Sequence, residues 1–246
     1  MSLKVSHITG GYSQIPVLKD VSFEVGDGNL VGLIGLNGAG KSTMIKHIIG
    51  LMHPSKGKIT IDGQTLSDDL TAYRKKIGYI PETPVLYEEL TLREHIEITG
   101  MAYDIPAEAA LERASKLLRT FRLDNKLDWF PANFSKGMKQ KVMILCAFLV
   151  EPSLYIIDEP FVGLDPLGIN ALLELMNGMK RQGASILMST HILATAERQC
   201  DSFILLHEGV IRAAGTLEDL RKTFNLPHAT LDEIYLQLTK EEVDRK

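Results

Sequence analysis

The sequence predicts an α/β protein whose core holds buried, parallel strands joined by crossover helices, with a helical insertion between them. Three observations carry that expectation. Unbroken apolar runs at "NLVGLIG" (29–35), "SLYIID" (153–158) and "ASILMS" (184–189) read as strands buried on both faces. Helix-period segments lie between them. From about Thr83 to Leu149 the pattern is helical throughout, which marks the insertion.

Each element follows from its local pattern. "SLKVSHIT" alternates apolar and polar residues, a Gly-Gly turn follows, and "VLKDVSFEV" alternates again, so residues 2–25 read as short strands. "KSTMIKHIIGL" places Met44, Ile45, Ile48 and Ile49 on one helical face, and "GKITIDG" (57–63) is a strand between glycine turns. The insertion reads as "LREHIEITGMAY", "PAEAALERASKLLRTF" and "SKGMKQKVMILCAFLV". A helix fits "ALLELMNGMKRQG" (171–183), and "SFILLHEGVIRAAG" (202–215) reads as a hairpin turning at Glu208–Gly209. Thr216 and Asp219 stand at capping-box spacing, and "KEEVDRK" (240–246) reads as a solvated, fraying tail.

At 246 residues the chain is near the upper limit of a single hydrophobic core. Its 27 basic and 31 acidic side chains give a net charge of −4 with no block of like charge, which argues against nucleic acid as a partner. The two cysteines, Cys146 and Cys200, form no metal-ligand pair and suit a reducing compartment. The longest apolar stretch, Val142–Val150, is far short of the ~20 residues that span a bilayer. "MSLKVSHITGGYS" has no apolar signal-peptide core, so the expectation is a cytoplasmic chain that reaches a membrane only through a partner.

The strongest chemical signal is "GLNGAGKST" (35–43). Gly35, Gly38 and Gly40 let the backbone curl until successive N–H groups converge on phosphate oxygens, and the following helix adds its N-terminal partial positive charge. Lys41 would neutralise the β- and γ-phosphates, and Ser42 would ligate Mg²⁺. The loop lies after an apolar strand and before an apolar-periodic helix, which is the context this chemistry requires. "LYIIDEP" (154–160) then delivers two adjacent carboxylates at the C-terminal end of a buried strand, the edge where doubly wound sheets gather ligands. Alone, such a pair is usually surface decoration. Beside a phosphate loop, Asp158 would hold Mg²⁺ directly or through water, and Glu159 would polarise the attacking water.

"NFSKGMKQK" (133–141) opens a helix, with Ser135 as a plausible N-cap and Gly137 permitting close backbone approach. On its own this is equally a basic amphipathic helix start. It stands 23 residues before Asp158, however, and the ordered set resembles the ATP-binding cassette (ABC) family from Leu3 to about Gly215.

The resemblance implies a P-loop NTPase (RecA-like) core, a small antiparallel β lobe and an inserted helical lobe. Core and antiparallel lobe would occupy residues 1–83 and 151–215, the helical lobe about 84–150, and a C-terminal helical extension 216–246. It implies a head-to-tail homodimer or pseudo-dimer burying two ATP molecules. Asn37, Gly38, Ala39, Gly40, Lys41, Ser42 and Thr43 of one subunit would then face Ser135 and Gly137 of the other. "GLDP" (163–166) matches the D-loop with Asp165, and "STH" (189–191) makes His191 a γ-phosphate contact. Tyr12, 29 residues before Lys41, resembles the aromatic that stacks on adenine, with Val17 nearby.

Glu82, in "YIPETPVLYEEL", falls where most of the family places a glutamine that reaches Mg²⁺ and the attacking water. A carboxylate binds a hard cation more strongly than an amide. It also adds a third negative side chain beside Asp158 and Glu159, which should raise at least one carboxylate pKa.

That wording, with "FSKGMKQKVMILCAFL" and "STHILATAERQCDSF", is similar to the ATP-binding subunits of Ecs-type exporters. The resemblance implies an ATPase serving a separate membrane permease, with Val85, Leu86, Tyr87 and Leu90 as candidate contacts. Two other classes share these features in part: soluble ABC proteins of DNA repair or translation, and kinases or GTPases with the same loop. The first carry a very long coiled coil or two cassettes, whereas only 93 residues separate Lys41 from Ser135 here. The second leave the Ser135 motif and "STH" unexplained.

Overall fold

The computed structural model describes residues 2–12 and 15–243. Strands β1 (Leu3–Gly10), β2 (Leu18–Val25) and β4 (Lys56–Ile61) form an antiparallel sheet in the order β2-β1-β4. Their alternation puts Leu3, Val5, Ile8, Val21, Phe23 and Val25 inward. Gly57, with φ 90°, is required in β4 because a Cβ there would run into the His7 carbonyl.

The larger sheet contains β3 (Leu30–Ile34), β5 (Ile77–Ile80), β6 (Leu154–Asp158), β7 (Ser185–Thr190), β8 (Ser202–His207) and β9 (Val210–Gly215). Its order is β5-β6-β7-β3-β8-β9. The first five strands are parallel, and β9 returns antiparallel through the expected Glu208–Gly209 hairpin. Strands β3, β6 and β7 are buried at every position, which is why their sequences read as unbroken apolar runs. Register fixes what meets at their C-terminal edge. Ile34 pairs with Thr190 and Asp158 with Ser189, so the segments after β3, β6 and β7 emerge together.

Helix α1 (Lys41–Ile48) buries Met44, Ile45 and Ile48 against the antiparallel lobe and one sheet face, and Ile49 just beyond it joins them. Helix α2 (Leu70–Lys75) follows, capped by Asp69. Helices α3 (Leu92–Ala102), α4 (Ala107–Phe121) and α5 (Lys136–Leu149) form the helical lobe, and their core continues into α6 (Pro166–Arg181) and Tyr155 and Ile157 of β6. Helices α7 (Leu193–Gln199), α8 (Leu217–Thr223) and α9 (Leu231–Val243) build a third core against Ile34, Phe203 and Leu205. The Thr216–Asp219 capping box is formed. No helix among the described residues is long and apolar enough to cross a membrane.

Two sequence expectations need correction, and a third falls partly outside the described residues. Helix does not begin near Thr83: α3 starts at Leu92, and Pro81 and Pro84 keep the preceding segment out of helical geometry. Helix α6 starts at Pro166, five residues before Ala171, because the Asp165 carboxylate accepts from the Gly168 N–H and Pro166 suits the first turn. The tail expected to fray begins inside α9, which runs to Val243, while residues 244–246 lie outside the described chain.

Candidate active site

The edge where β3, β6 and β7 end opens into a cleft of about 460 Å³. Tyr12, Val17, Leu36, Asn37, Gly38, Gly40, Lys41, Ser42 and Thr43 line it from one side. Glu82, Asp158, Glu159 and His191 line it from the other. Ala39 lies beneath the loop, buried against Gly35.

The loop's shape depends on its glycines. Gly38 and Gly40 have φ of 85° and 110°, values that L side chains resist, and Gly40 stands immediately before α1. Lys41 is buried and its Nζ donates to the Gly35 carbonyl at 2.7 Å, so the ammonium is held over the cradle of backbone amides. It also lies 4.0 Å from Glu159.

Asp158 and Glu159 are adjacent but differently held. The Ser189 hydroxyl donates to Asp158 Oδ1 from the neighbouring strand, a partner the sequence offered only as part of "STH". Burial pushes the Asp158 carboxyl above its ordinary range, the Ser189 hydrogen bond opposes that rise, and the charges of Glu159 and Glu82 add to it. The carboxylate crowding expected from Glu82 is therefore felt at Asp158. Tyr79, beneath them, is pushed up to about 12, mainly by burial and then by Asp158 and Glu82.

Glu159 adopts a left-handed backbone with φ 47°, a costly conformation for a glutamate, and its N–H bonds to the Ser189 carbonyl at 3.0 Å. That turn aims its carboxylate back into the cleft. There Oε2 accepts from the His191 backbone N–H at 3.3 Å and lies 2.8 Å from His191 Nδ1. The residue just beyond β7 thus orients the group, as a base acting on water must be oriented.

At the mouth, Lys46 Nζ donates to the Tyr12 hydroxyl at 2.9 Å and lies 5.1 Å from its ring centre. The hydrogen bond from Lys46 draws the phenol below its ordinary value. The ring is largely exposed, free to meet a flat ligand.

Ser135, Gly137 and Asp165 do not line this cleft. Ser135 Oγ caps α5 by accepting from the Met138 N–H at 3.3 Å. A Cβ on Gly137 would meet the Gly163 carbonyl at 2.5 Å, so the glycine lets the start of α5 lie against the 163–165 turn. Lys141 Nζ, 2.8 Å from Asp165 Oδ2, fastens the same junction. These residues form a separate, firmly built face.

Among the described residues no group of three His, Cys, Asp or Glu side chains could by itself hold a metal ion. The cleft nevertheless places Ser42, Asp158 and Glu82 together, a donor set of oxygens alone. This fits Mg²⁺, which is commonly bound by one or two carboxylates and completed by substrate phosphates.

A glycine-lined anion cradle, its lysine and a buried carboxylate at one end of a parallel sheet define a phosphate-loop nucleoside triphosphatase. The sequence pattern of the family described as ABC transporter matches residues 18–162. The Bacillus subtilis (strain 168) ABC-type transporter ATP-binding protein EcsA is 64% identical over 240 residues, covering 98% of this chain and 97% of that protein. A solved ATP-binding subunit of an ABC transporter superposes with a TM-score of 0.95 at 61% identity, covering 97% of this chain and 100% of that one. A dimeric ATP-binding cassette in a post-hydrolysis state, bound to ADP and Pi, superposes at 0.80 and 27% identity over 87% of this chain and 98% of that one. The chain belongs to the ABC transporter family and is one of its ATP-binding, ATP-hydrolysing subunits.

Proposed function

We propose that this subunit energises an exporter, hydrolysing ATP at the inner face of the cell membrane while a separate integral-membrane permease carries the cargo. Two copies, or this chain and a close homologue, would close head to tail over two ATP molecules. The observation that carries this reading is the division of the site. One chain supplies a cleft with base, lysine and phosphate cradle, and a second, preorganised face with Ser135, Gly137 and Asp165 that the cleft does not use. The dimeric cassette among its structural relatives supports the same pairing.

Within the cleft, Lys41 and the amides of residues 37–43 would bind the phosphates, Tyr12 and Val17 the base. Glu159 would accept a proton from the attacking water, and His191, bonded to Glu159, would contact the γ-phosphate. Mg²⁺, held by Ser42, Asp158 and Glu82, would neutralise phosphate charge. Only the state in which both subunits contact the γ-phosphate favours ATP over ADP, and that difference drives opening and closing.

The permease reading rests on the segment between β5 and α3. Val85 and Tyr87 are exposed by 74% and 62%, and Leu86 turns into the helical core. The segment is fastened to two of the lobe helices, α3 and α5. Gln140 of α5 donates to the Pro81 carbonyl at 3.4 Å, Lys139 pairs with Glu88 at 3.0 Å, and His95 of α3 accepts from the Tyr87 N–H at 3.0 Å. A push on Val85 or Tyr87 would thus reach both Glu82 and helix α5, which Ser135 caps. Cysteine cross-linking along residues 84–95 should trap the co-expressed permease at Val85 and Tyr87. Absence of any adduct across that stretch would remove this docking site.

A further inference from the structure

Helix α9 belongs to none of the nucleotide-site motifs, yet it reaches the phosphate loop. Its buried face, Leu231, Ile234, Tyr235 and Leu238, packs with Ile34 at the end of β3 and Ala196 of α7. Two polar contacts extend that packing. The Tyr235 hydroxyl accepts a hydrogen bond from the Leu36 N–H at 2.8 Å. Glu197, on the helix that follows His191, accepts from the Leu231 N–H at 2.6 Å.

The first contact falls on a particular peptide unit. The Gly35 carbonyl and the Leu36 N–H belong to one amide plane, and Lys41 Nζ holds the carbonyl end at 2.7 Å. One peptide at the entrance of the loop is therefore clamped at both ends, by Lys41 from the cleft side and by Tyr235 from the C-terminal helix. The bond from the Leu36 N–H is partly buried, and the phenol fixes the direction of that amide. When Lys41 turns towards a phosphate, Tyr235 is the clamp that stays.

We propose that Tyr235 is a positioning residue for ATP binding, holding the Gly35–Leu36 peptide plane in the orientation that receives the triphosphate. The inference rests on residues 35–43 being the nucleotide site. Through Leu231 and Glu197, the same helix ties the loop to the segment carrying His191, so the C-terminal extension spaces the two.

The test is Tyr235→Phe in the full-length chain, which removes one oxygen and keeps the packing. Loss of the hydrogen bond to Leu36 should weaken ATP binding and raise KM by about threefold to tenfold, with kcat within about twofold of the parent. Amide hydrogen exchange, measured without nucleotide, should quicken in the peptide spanning residues 33–40 and stay unchanged in α9 peptides distal to Tyr235. Lys41→Ala serves as the reference. If it loses ATP binding while Tyr235→Phe matches the parent in KM and in exchange, the positioning role is overturned and the nucleotide site stands. If Lys41→Ala binds ATP normally, the site reading fails and this inference fails with it.

Discussion

The cleft at the sheet edge and the face around Ser135 are built with equal care but to different degrees of completion. In the cleft, groups from β3, β6 and β7 converge. Lys41 reaches Gly35, Ser189 reaches Asp158, and His191 reaches Glu159. The Ser135 face has the same density of internal fastening, with Ser135 on Met138, Gly137 against Gly163 and Lys141 on Asp165. Yet Ser135, Gly137 and Asp165 do not line the cleft. Under the proposed pairing, that face of one chain would meet the open side of the cleft in the other.

The largest expected effect separates chemistry from binding inside the cleft. Glu159→Gln should cut ATP turnover by roughly 10²–10⁴-fold, the contribution of a positioned general base, while leaving ATP affinity close to the parent. Turnover at the parental rate would move the base elsewhere. On the other face, Ser135→Arg should leave the monomer's ATP affinity unchanged and abolish ATP-dependent dimerisation, read by light scattering. Normal dimerisation in that variant would make the two regions independent.

A smaller effect concerns stability. Burial raises the folded-state pKa of Asp158 above the ordinary 3.8. The ionised group therefore opposes folding at neutral pH, and this cost is absent below about pH 3.8, where folded and unfolded chains are both protonated. Without nucleotide, Asp158→Asn should melt a few degrees above the parent at pH 7, and the gap should close as pH falls below about 4. A gap independent of pH would assign the gain to packing. The smallest effect is expected at Glu82. Because that carboxylate is exposed at the cleft rim, Glu82→Gln should shift the Mg²⁺ concentration giving half-maximal turnover by only about threefold to tenfold. Superimposable Mg²⁺ and pH–rate curves would remove Glu82 from the metal.

The strands that position the site could be read directly, because β3, β6 and β7 are buried on both faces and so carry unbroken apolar runs. Lys41, Asp158 and Glu159 followed from those strands and their loops. Ser189 as a partner of Asp158, and Tyr235 as a partner of Leu36, were not visible, since each contact depends on tertiary register between distant segments. The start of α6 is hidden from the sequence for a different reason. Its first turn depends on the Asp165 cap and Pro166, and the apolar periodicity used to find helices begins only at Ala171. The helical pattern read from about Thr83 takes in residues 83–91, whereas Pro81 and Pro84 keep that stretch out of helical geometry.

Whether the two regions complete one another between chains is tested by mixing two dead variants. Lys41→Ala spoils the cleft and Ser135→Arg spoils the opposite face, so each alone should lack ATPase activity. In a mixed dimer one site joins both defects, while the other joins an intact cleft to an intact Ser135 face. ATPase activity should therefore reappear on mixing, rising to a maximum at equal amounts of the two variants. A mixture that stays as inactive as its components would contradict a site shared between two chains.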